Sequence, residues 1–302
     1  MSAVRKIRRL DRAYSMEKFY AEIGGSRQLY AQLATGKEIT IAMEQEILDK
    51  VRRWRVDHPQ MGSRTLFYSM KERGEELPIG VTSFERLMSK HHMTVGIARR
   101  SGPFTSDGLG SRQYPNLTNG LVLNDINQLV VADITFFWIT PKWHYLFVLK
   151  DVYSQRIISL VPSENMYAEN ALQNVFELKK LRGEEHLNGC IFHSDNGSQY
   201  DSKSMINTLT SLNMRISRSQ TCTQNGSSEQ GHHIIKNMYL KHYGIQTFRK
   251  LKIACKKVKR MMNEERSINQ LGNMTVQRFE ELIGRKTGEP NPIKTLYDFN
   301  QT

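Results

Sequence analysis

Cysteine, paired metal-ligand spacing and long apolar runs are all scarce in this sequence. Its three cysteines, Cys190, Cys222 and Cys255, stand singly, without a CxxC or any other paired spacing. That pattern speaks against a disulfide framework and a structural zinc site, and it fits a reducing cytoplasm. No apolar run approaches the roughly 18 residues of a membrane span. The first ten residues, MSAVRKIRRL, are basic but have no apolar core behind them, so no signal peptide is read. Internal repeats are absent, and the one compositionally biased stretch is residues 101–120.

Acidic charge is also in deficit, and unevenly. The chain carries 43 Lys and Arg against 30 Asp and Glu, a net charge of +13. Residues 1–100 and 221–302 each contribute +7, whereas residues 101–220 sum to −1. Two basic flanks attract a polyanion, whose released counterions drive binding. A slightly acidic middle suits a site that collects Mg²⁺. Basic charge has other origins too, so this alone does not assign a nucleic acid partner.

At 302 residues the chain has room for two or three domains. Residues 1–40 read as helical pieces broken at Gly24-Gly25. A helix is expected over about Ile41–Val56, stopped by His58-Pro59, then a second from Gly62 to about Glu72 and a third over Phe84–His91. Three short helices with tight joints suggest a helix-turn-helix domain over residues 41–100, although any small helical bundle has the same pattern. Residues 101–120, rich in Gly, Ser, Asn and Pro, read as a linker. The period then changes. Gln128–Trp138, Tyr145–Lys150 and Arg156–Val161 are β-prone runs with short polar joints, as in an antiparallel meander. Helix (Ala168–Leu181), strand (Gly189–Phe192), helix (Asp201–Leu212), strand (Met214–Ile216) and helix (Ser227–Tyr243) follow. The expected class is α/β: an all-α helix-turn-helix domain, then over residues 121–245 a core with the element order of the ribonuclease-H-like fold, a five-stranded mixed sheet with helices. A basic helical region over residues 246–302 completes the chain.

Three carboxylates stand out. Asp133 lies inside the apolar run Val130–Phe137, where an unpaired charge is costly. Asp195 follows the short strand Cys190-Ile191-Phe192, in His193-Ser194-Asp195-Asn196-Gly197-Ser198-Gln199-Tyr200, at a sheet edge that ligands reach. Glu229 falls in the first turn of the last core helix. Converging, they would make two oxygen-rich metal sites for a phosphodiester displacement. Taken singly, each acid is as well explained as a surface or capping residue.

The motifs Val131-Ala132-Asp133-Ile134-Thr135, His193–Tyr200 and Cys222-Thr223-Gln224-Asn225-Gly226-Ser227-Ser228-Glu229 together resemble the integrase-core transposases of two-reading-frame insertion sequences, specifically the second-frame catalytic subunit. These belong to the DDE (retroviral integrase) superfamily. Tyr145-Leu146, Asp151-Val152-Tyr153-Ser154, Gly62-Ser63-Arg64, Arg86-Leu87-Met88, Asn263–Arg266, Met274-Thr275 and Phe279-Glu280 extend the resemblance over roughly residues 40–285. The chain departs from that pattern at Val131, at Gly231-His232-His233 and at Ser267-Ile268.

The resemblance implies a DNA transposase that cleaves insertion-sequence ends and performs strand transfer. Asp133, Asp195 and Glu229 would be its catalytic and metal-binding triad, holding two Mg²⁺ or Mn²⁺ ions. Lys236, two helical turns after Glu229, would touch DNA near the scissile phosphate. Arg64 and Arg86 would contact DNA from the helix-turn-helix, and Lys252, Lys256, Lys257, Lys259 and Arg260 from the basic C-terminal stretch, whose bland alternative is a solvated helix face. Implied partners are the element's terminal inverted repeats, target DNA, further copies in a paired-end complex and a first-frame protein, in a bacterial nucleoid. A non-catalytic DNA-binding derivative and a metal-dependent nuclease of the same fold are the alternatives. Asp151 reads as a turn residue, His193 as packing, His232 and His233 as a solvated helix face, and Trp54, Trp138 and Trp143 as core or sheet packing.

Overall fold

The computed structural model describes residues 24, 26–96, 114–219, 231–285 and 290–297. It divides into two units, Met1–Asp57 and His58–Thr302. In the first, helix α1 (Arg27–Asp57) carries side-chain pairs at helical spacing, among them Lys50 with Glu46 and Gln45 with Asp49. The division leaves α1 in a different unit from the two helices that follow it. Among the described residues no helix is long and apolar enough to cross a membrane.

The second unit opens with α2 (Ser63–Glu72) and α3 (Val81–Lys90), which pack through Leu66, Phe67, Met70, Phe84, Leu87 and Met88. A two-residue strand β1 (Val122–Leu123) precedes the long β2 (Leu129–Ile139), β3 (Lys142–Asp151) and β4 (Ile157–Ser163). The runs LVVADITFFWI and KWHYLFVLKD lack Gly and Pro and are rich in β-branched and aromatic residues, which suit a pleated, covered surface. Thr140-Pro141 turns β2 into β3. Helix α4 (Ala168–Arg182), β5 (Ile191–Ser194), α5 (Lys203–Ser211) and β6 (Arg215–Arg218) complete a sheet of order β4-β3-β2-β5-β6. The meander is antiparallel, whereas β2, β5 and β6 run parallel. This is the expected five-stranded mixed sheet with helices, a ribonuclease-H-like α/β core.

Both sheet faces are covered. On one, Ala171, Val175 and Leu178 of α4 and Met205 and Leu209 of α5 lie over Val130, Ala132, Phe147, Leu149 and Phe192. On the other, a helical segment is described from Gly231, continues as a π-helical turn over Ile234–Tyr239 and tightens to a 3₁₀ turn over Leu240–His242. Beside it α6 (Phe248–Glu264), capped by the Thr247 hydroxyl, buries Leu251, Cys255, Val258 and Met261. Each such side chain contributes about 1.5–3 kcal/mol, so the basic C-terminal helix is built into the core. Ile253 on the same helix points outward at 61% exposure.

The chain ends with β7 (Ser267–Ile268), β8 (Met274–Thr275), α7 (Val276–Gly284) and β9 (Lys294–Thr295), which pairs with β1. Ser267, one of the departures from the family pattern, is buried. Its N–H donates to Ser69 Oγ at 2.8 Å and its hydroxyl to the Thr65 carbonyl at 3.1 Å. Those bonds fix α2 to the C-terminal part of the unit. His58 does the same, with its ring nitrogens 3.1 Å from the Tyr239 hydroxyl and 2.9 Å from Glu265 Oε2.

Candidate active site

Parallel pairing of β2 with β5 brings two of the three expected acids together. The register runs Leu129–Ile191 to Ala132–Ser194, so Asp133 and Asp195 are the next residues on neighbouring strands, where β5 stops and β2 continues. Asp133 shares the face of Phe137 and Ile139, which pack against Ile235 and Tyr239. It therefore points toward the layer holding the π-helical turn. Its Oδ1 accepts a bond from the Ile134 N–H at 2.8 Å.

The loop after β5 is shaped around Asp195. The Gly197 N–H donates to Asp195 Oδ1 at 3.1 Å, and the Asn196 amide donates to the Ser219 carbonyl at 3.0 Å. A Cβ on Gly197 would sit 3.0 Å from Asp195 Oδ1 and 2.9 Å from the movable Gln199 amide oxygen. Glycine here allows backbone and carboxylate to approach closely. Gly197→Ala should thus turn the Asp195 carboxylate away and weaken divalent-metal binding roughly tenfold at a nearly unchanged melting temperature. Calorimetric titration with Mn²⁺ checks this, and unaltered metal affinity would count against it.

Electrostatics tell the same story. Burial raises the Asp195 pKa above the usual carboxylate value, and the Asp133 charge raises it further, against the Gly197 N–H bond and the more distant Arg218. Tyr200, fully buried, is pushed well above the usual phenol range by burial and by both acids. Arg218 is committed elsewhere, 3.3 Å from Asp201. Two partly buried like charges side by side make a cation-binding locus. Among the described residues no group of three metal-ligating side chains converges. Glu229, the expected third acid, lies outside the described residues, as do Cys222, residues 101–113 of the linker and residues 1–23.

Two further side chains meet the acids. Lys236, half-buried on the π-helical turn, has its pKa lowered by burial and by Lys241 and supported by Asp133, whose field it feels. His232 is buried, with Nδ1 3.4 Å from Asp133 Oδ2, and does not lie on a solvated face as expected. Its signal in the sequence was its place three residues after Glu229. His193 does pack: Nδ1 lies 2.9 Å from Ser217 Oγ, and burial with Arg218 nearby brings its pKa to about 4. Asp151 is a buried turn acid that accepts bonds from the N–H groups of Asn127 and Ser154.

The other expected DNA contacts lie apart from the acids. Arg64 holds Glu85 through two 2.9 Å bonds between α2 and α3, and Arg86 is exposed on α3. On α6, Lys256 is exposed, Lys252 and Lys257 sit over the rings of Phe248 and Tyr243, Lys259 lies 3.7 Å from Glu177, and Arg260 pairs with Glu265. Trp138 and Trp143, expected as packing residues, are about half exposed.

Comparison with known proteins agrees with this geometry. Residues 124–223 match the family model of the integrase core domain. A 31 kDa uncharacterized protein of the insertion element IS600 from Shigella sonnei is 28% identical over 224 residues, covering 73% of this chain and 81% of that protein. Among solved structures, a chain of the simian T-cell lymphotropic virus intasome in complex with PP2A regulatory subunit B56 gamma has a TM-score of 0.50 at 14% identity, covering 76% of this chain and 71% of that chain. The HTLV-2 integrase catalytic core domain in complex with magnesium has a TM-score of 0.43 at 18% identity, covering 51% and 97%. Residues 124–223 thus form an integrase core domain, in a chain similar to an insertion-element protein.

Proposed function

We propose that the protein cuts DNA at the ends of a mobile element and joins the freed ends to a new site, with Asp133, Asp195 and Glu229 as the acids of its active centre. The observation that carries this reading is the juxtaposition of Asp133 and Asp195, partly buried side by side at the end of the β2–β5 pairing within an integrase core. The insertion-element origin of the Shigella relative supports mobile-element ends as the substrate.

Integrase cores are metal-dependent, and the donor set fits hard divalent cations, Mg²⁺ or Mn²⁺. Two such ions supply Lewis acidity to the attacking and leaving oxygens of an in-line displacement. The protein's share is placement. The Gly197 N–H holds the Asp195 carboxylate, and His232 meets Asp133 from the facing helix. In the first step water attacks the phosphodiester at the element end and a 3′-OH leaves. In the second that 3′-OH attacks a target phosphodiester, forming a new phosphodiester as the target strand's own 3′-oxygen leaves as a hydroxyl. End recognition falls to residues 41–95, with Arg86 exposed and Arg64 able to exchange Glu85 for a phosphate. Further copies would pair two ends, with a first-frame partner attached to one or more of them.

Lys236 is proposed to hold the backbone phosphate beside the acids, as a point charge without base discrimination. Lys236→Ala should weaken end binding equally across sequence variants and lower the salt slope by about one contact. An unchanged slope with a lowered melting temperature would assign it a structural role instead.

A strand-transfer assay with pre-cleaved element ends and a supercoiled target tests the function itself. Joined products support the transposase. Nicking without joining would show a nuclease, and binding without either a repressor-like derivative. The basic flanks and helices α2 and α3 favour the transposase over a simple nuclease, which needs neither, and the three acids favour it over a non-catalytic derivative.

A further inference from the structure

His232 belongs to the stretch Gly231-His232-His233, at which the chain departs from the transposase pattern, and the fold brings it to the active centre. The residue is 9% exposed, and its Nδ1 lies 3.4 Å from Asp133 Oδ2. Asp133 Oδ1 accepts from the Ile134 N–H at 2.8 Å, so Oδ2 is the oxygen turned toward the imidazole. Lys236 follows four residues later on the same segment and also feels the Asp133 charge. One side of this segment therefore faces the acid.

A separation of 3.4 Å is long for a charge-assisted hydrogen bond, whose donor and acceptor stand about 2.7–2.9 Å apart. The structural histidines of this fold are closer to their partners. His193 Nδ1 lies 2.9 Å from Ser217 Oγ, and the two nitrogens of His58 lie 3.1 Å from Tyr239 Oη and 2.9 Å from Glu265 Oε2. The His232–Asp133 spacing suits two donors of one cation instead. Ligand atoms about 2.1 Å from a common ion, at octahedral to tetrahedral angles, stand roughly 3.0–3.4 Å from each other. The chemistry agrees, since imidazole nitrogen and carboxylate oxygen are both ordinary ligands of first-row metal ions. A complete cage of protein donors is not needed. Hard divalent ions keep several waters and take oxygens from the phosphate of the substrate.

We propose that His232 Nδ1 is a ligand of the divalent ion that Asp133 holds, which gives the centre a nitrogen donor beside its carboxylates. This rests on the reading of Asp133 as a metal-binding acid. The consequence is selectivity. Mg²⁺ favours oxygen donors, whereas an imidazole nitrogen favours transition ions such as Co²⁺. His232 thereby shifts the ion preference of the centre away from Mg²⁺.

Mn²⁺ added alone to the full-length protein tests the ligand directly. Pulsed electron paramagnetic resonance of the bound ion should show modulation from a coordinated nitrogen, and histidine labelled with nitrogen-15 should change its pattern. In His232→Phe, which keeps a planar ring without a nitrogen, the modulation should vanish. The same variant should bind Co²⁺ at least about tenfold more weakly, with Mg²⁺ affinity changed by less than about threefold. Absence of nitrogen modulation in the Mn²⁺-loaded unsubstituted protein would overturn the proposal, whether or not the variant folds. So would modulation that persists in His232→Phe, or an equal loss of Co²⁺ and Mg²⁺ affinity, which would leave His232 only orienting Asp133. Failure of the unsubstituted protein to take up Mn²⁺ would instead overturn the reading of Asp133 as a metal-binding acid.

Discussion

Asp133→Asn, Asp195→Asn and Glu229→Gln should each abolish both cleavage and joining while leaving binding to element ends within about twofold. A carboxylate-to-amide change removes the charge and one strong oxygen donor at nearly constant volume. Acids that act as one unit give non-additive losses, so any single change should cost at least about 10³-fold in rate and a double change little more. Asp195 carries an added expectation. Asp133 raises its pKa, so Asp133→Asn should let the Asp195 carboxyl ionise at lower pH, a shift readable by carboxylate NMR. Near-native rates in any single variant would remove that residue from the centre.

The second large effect is on stability. Glu280 on α7 accepts bonds from Arg182 Nη2 at 2.7 Å, Arg182 Nη1 at 3.0 Å and Arg156 Nε at 2.6 Å. Arg182 is 9% and Arg156 17% exposed, and Asp151 stands 3.9 Å from Arg182. The network joins the end of α4, the β3–β4 turn and α7. Glu280→Ala leaves two guanidinium groups buried with less compensation, a loss of roughly 3–5 kcal/mol. At about 2–4 °C per kcal/mol for a domain near this size, the melting temperature should fall by roughly 10 °C. Glu280→Gln, which keeps acceptor and donor atoms, should fall less. A change under about 2 °C in the alanine variant would show that the network contributes little.

Much of this architecture could be read from local signals. The meander was legible because its three runs are apolar, β-prone and bounded by turn residues, and α4 because its periodicity is regular. The Asp195 loop was legible from a motif whose Gly197 has a physical reason, the close approach to the carboxylate. Other features depend on contacts no local pattern records. The pairing of β1 with β9 joins residues more than 170 positions apart. The π-helical turn has no periodicity signature, and it sits where Lys236 was placed by counting regular helical turns. His232 reads as part of a solvated helix face, yet the fold sets its Nδ1 3.4 Å from Asp133 Oδ2, a contact across the sheet that no local pattern records. Trp138 and Trp143 follow an alternating pattern that normally means burial, but the helices covering that sheet face stop short of the hairpin tip.

The most direct test of the active centre is Mn²⁺ uptake by the protein bound to an element-end duplex, followed by calorimetry and by the fall in the free-ion magnetic resonance signal. Two ions per active centre are expected for the unsubstituted protein, with the stronger site lost in both Asp133→Asn and Asp195→Asn at unchanged duplex binding. Identical Mn²⁺ uptake by the two variants and the unsubstituted protein would contradict the assignment of these acids as the metal centre.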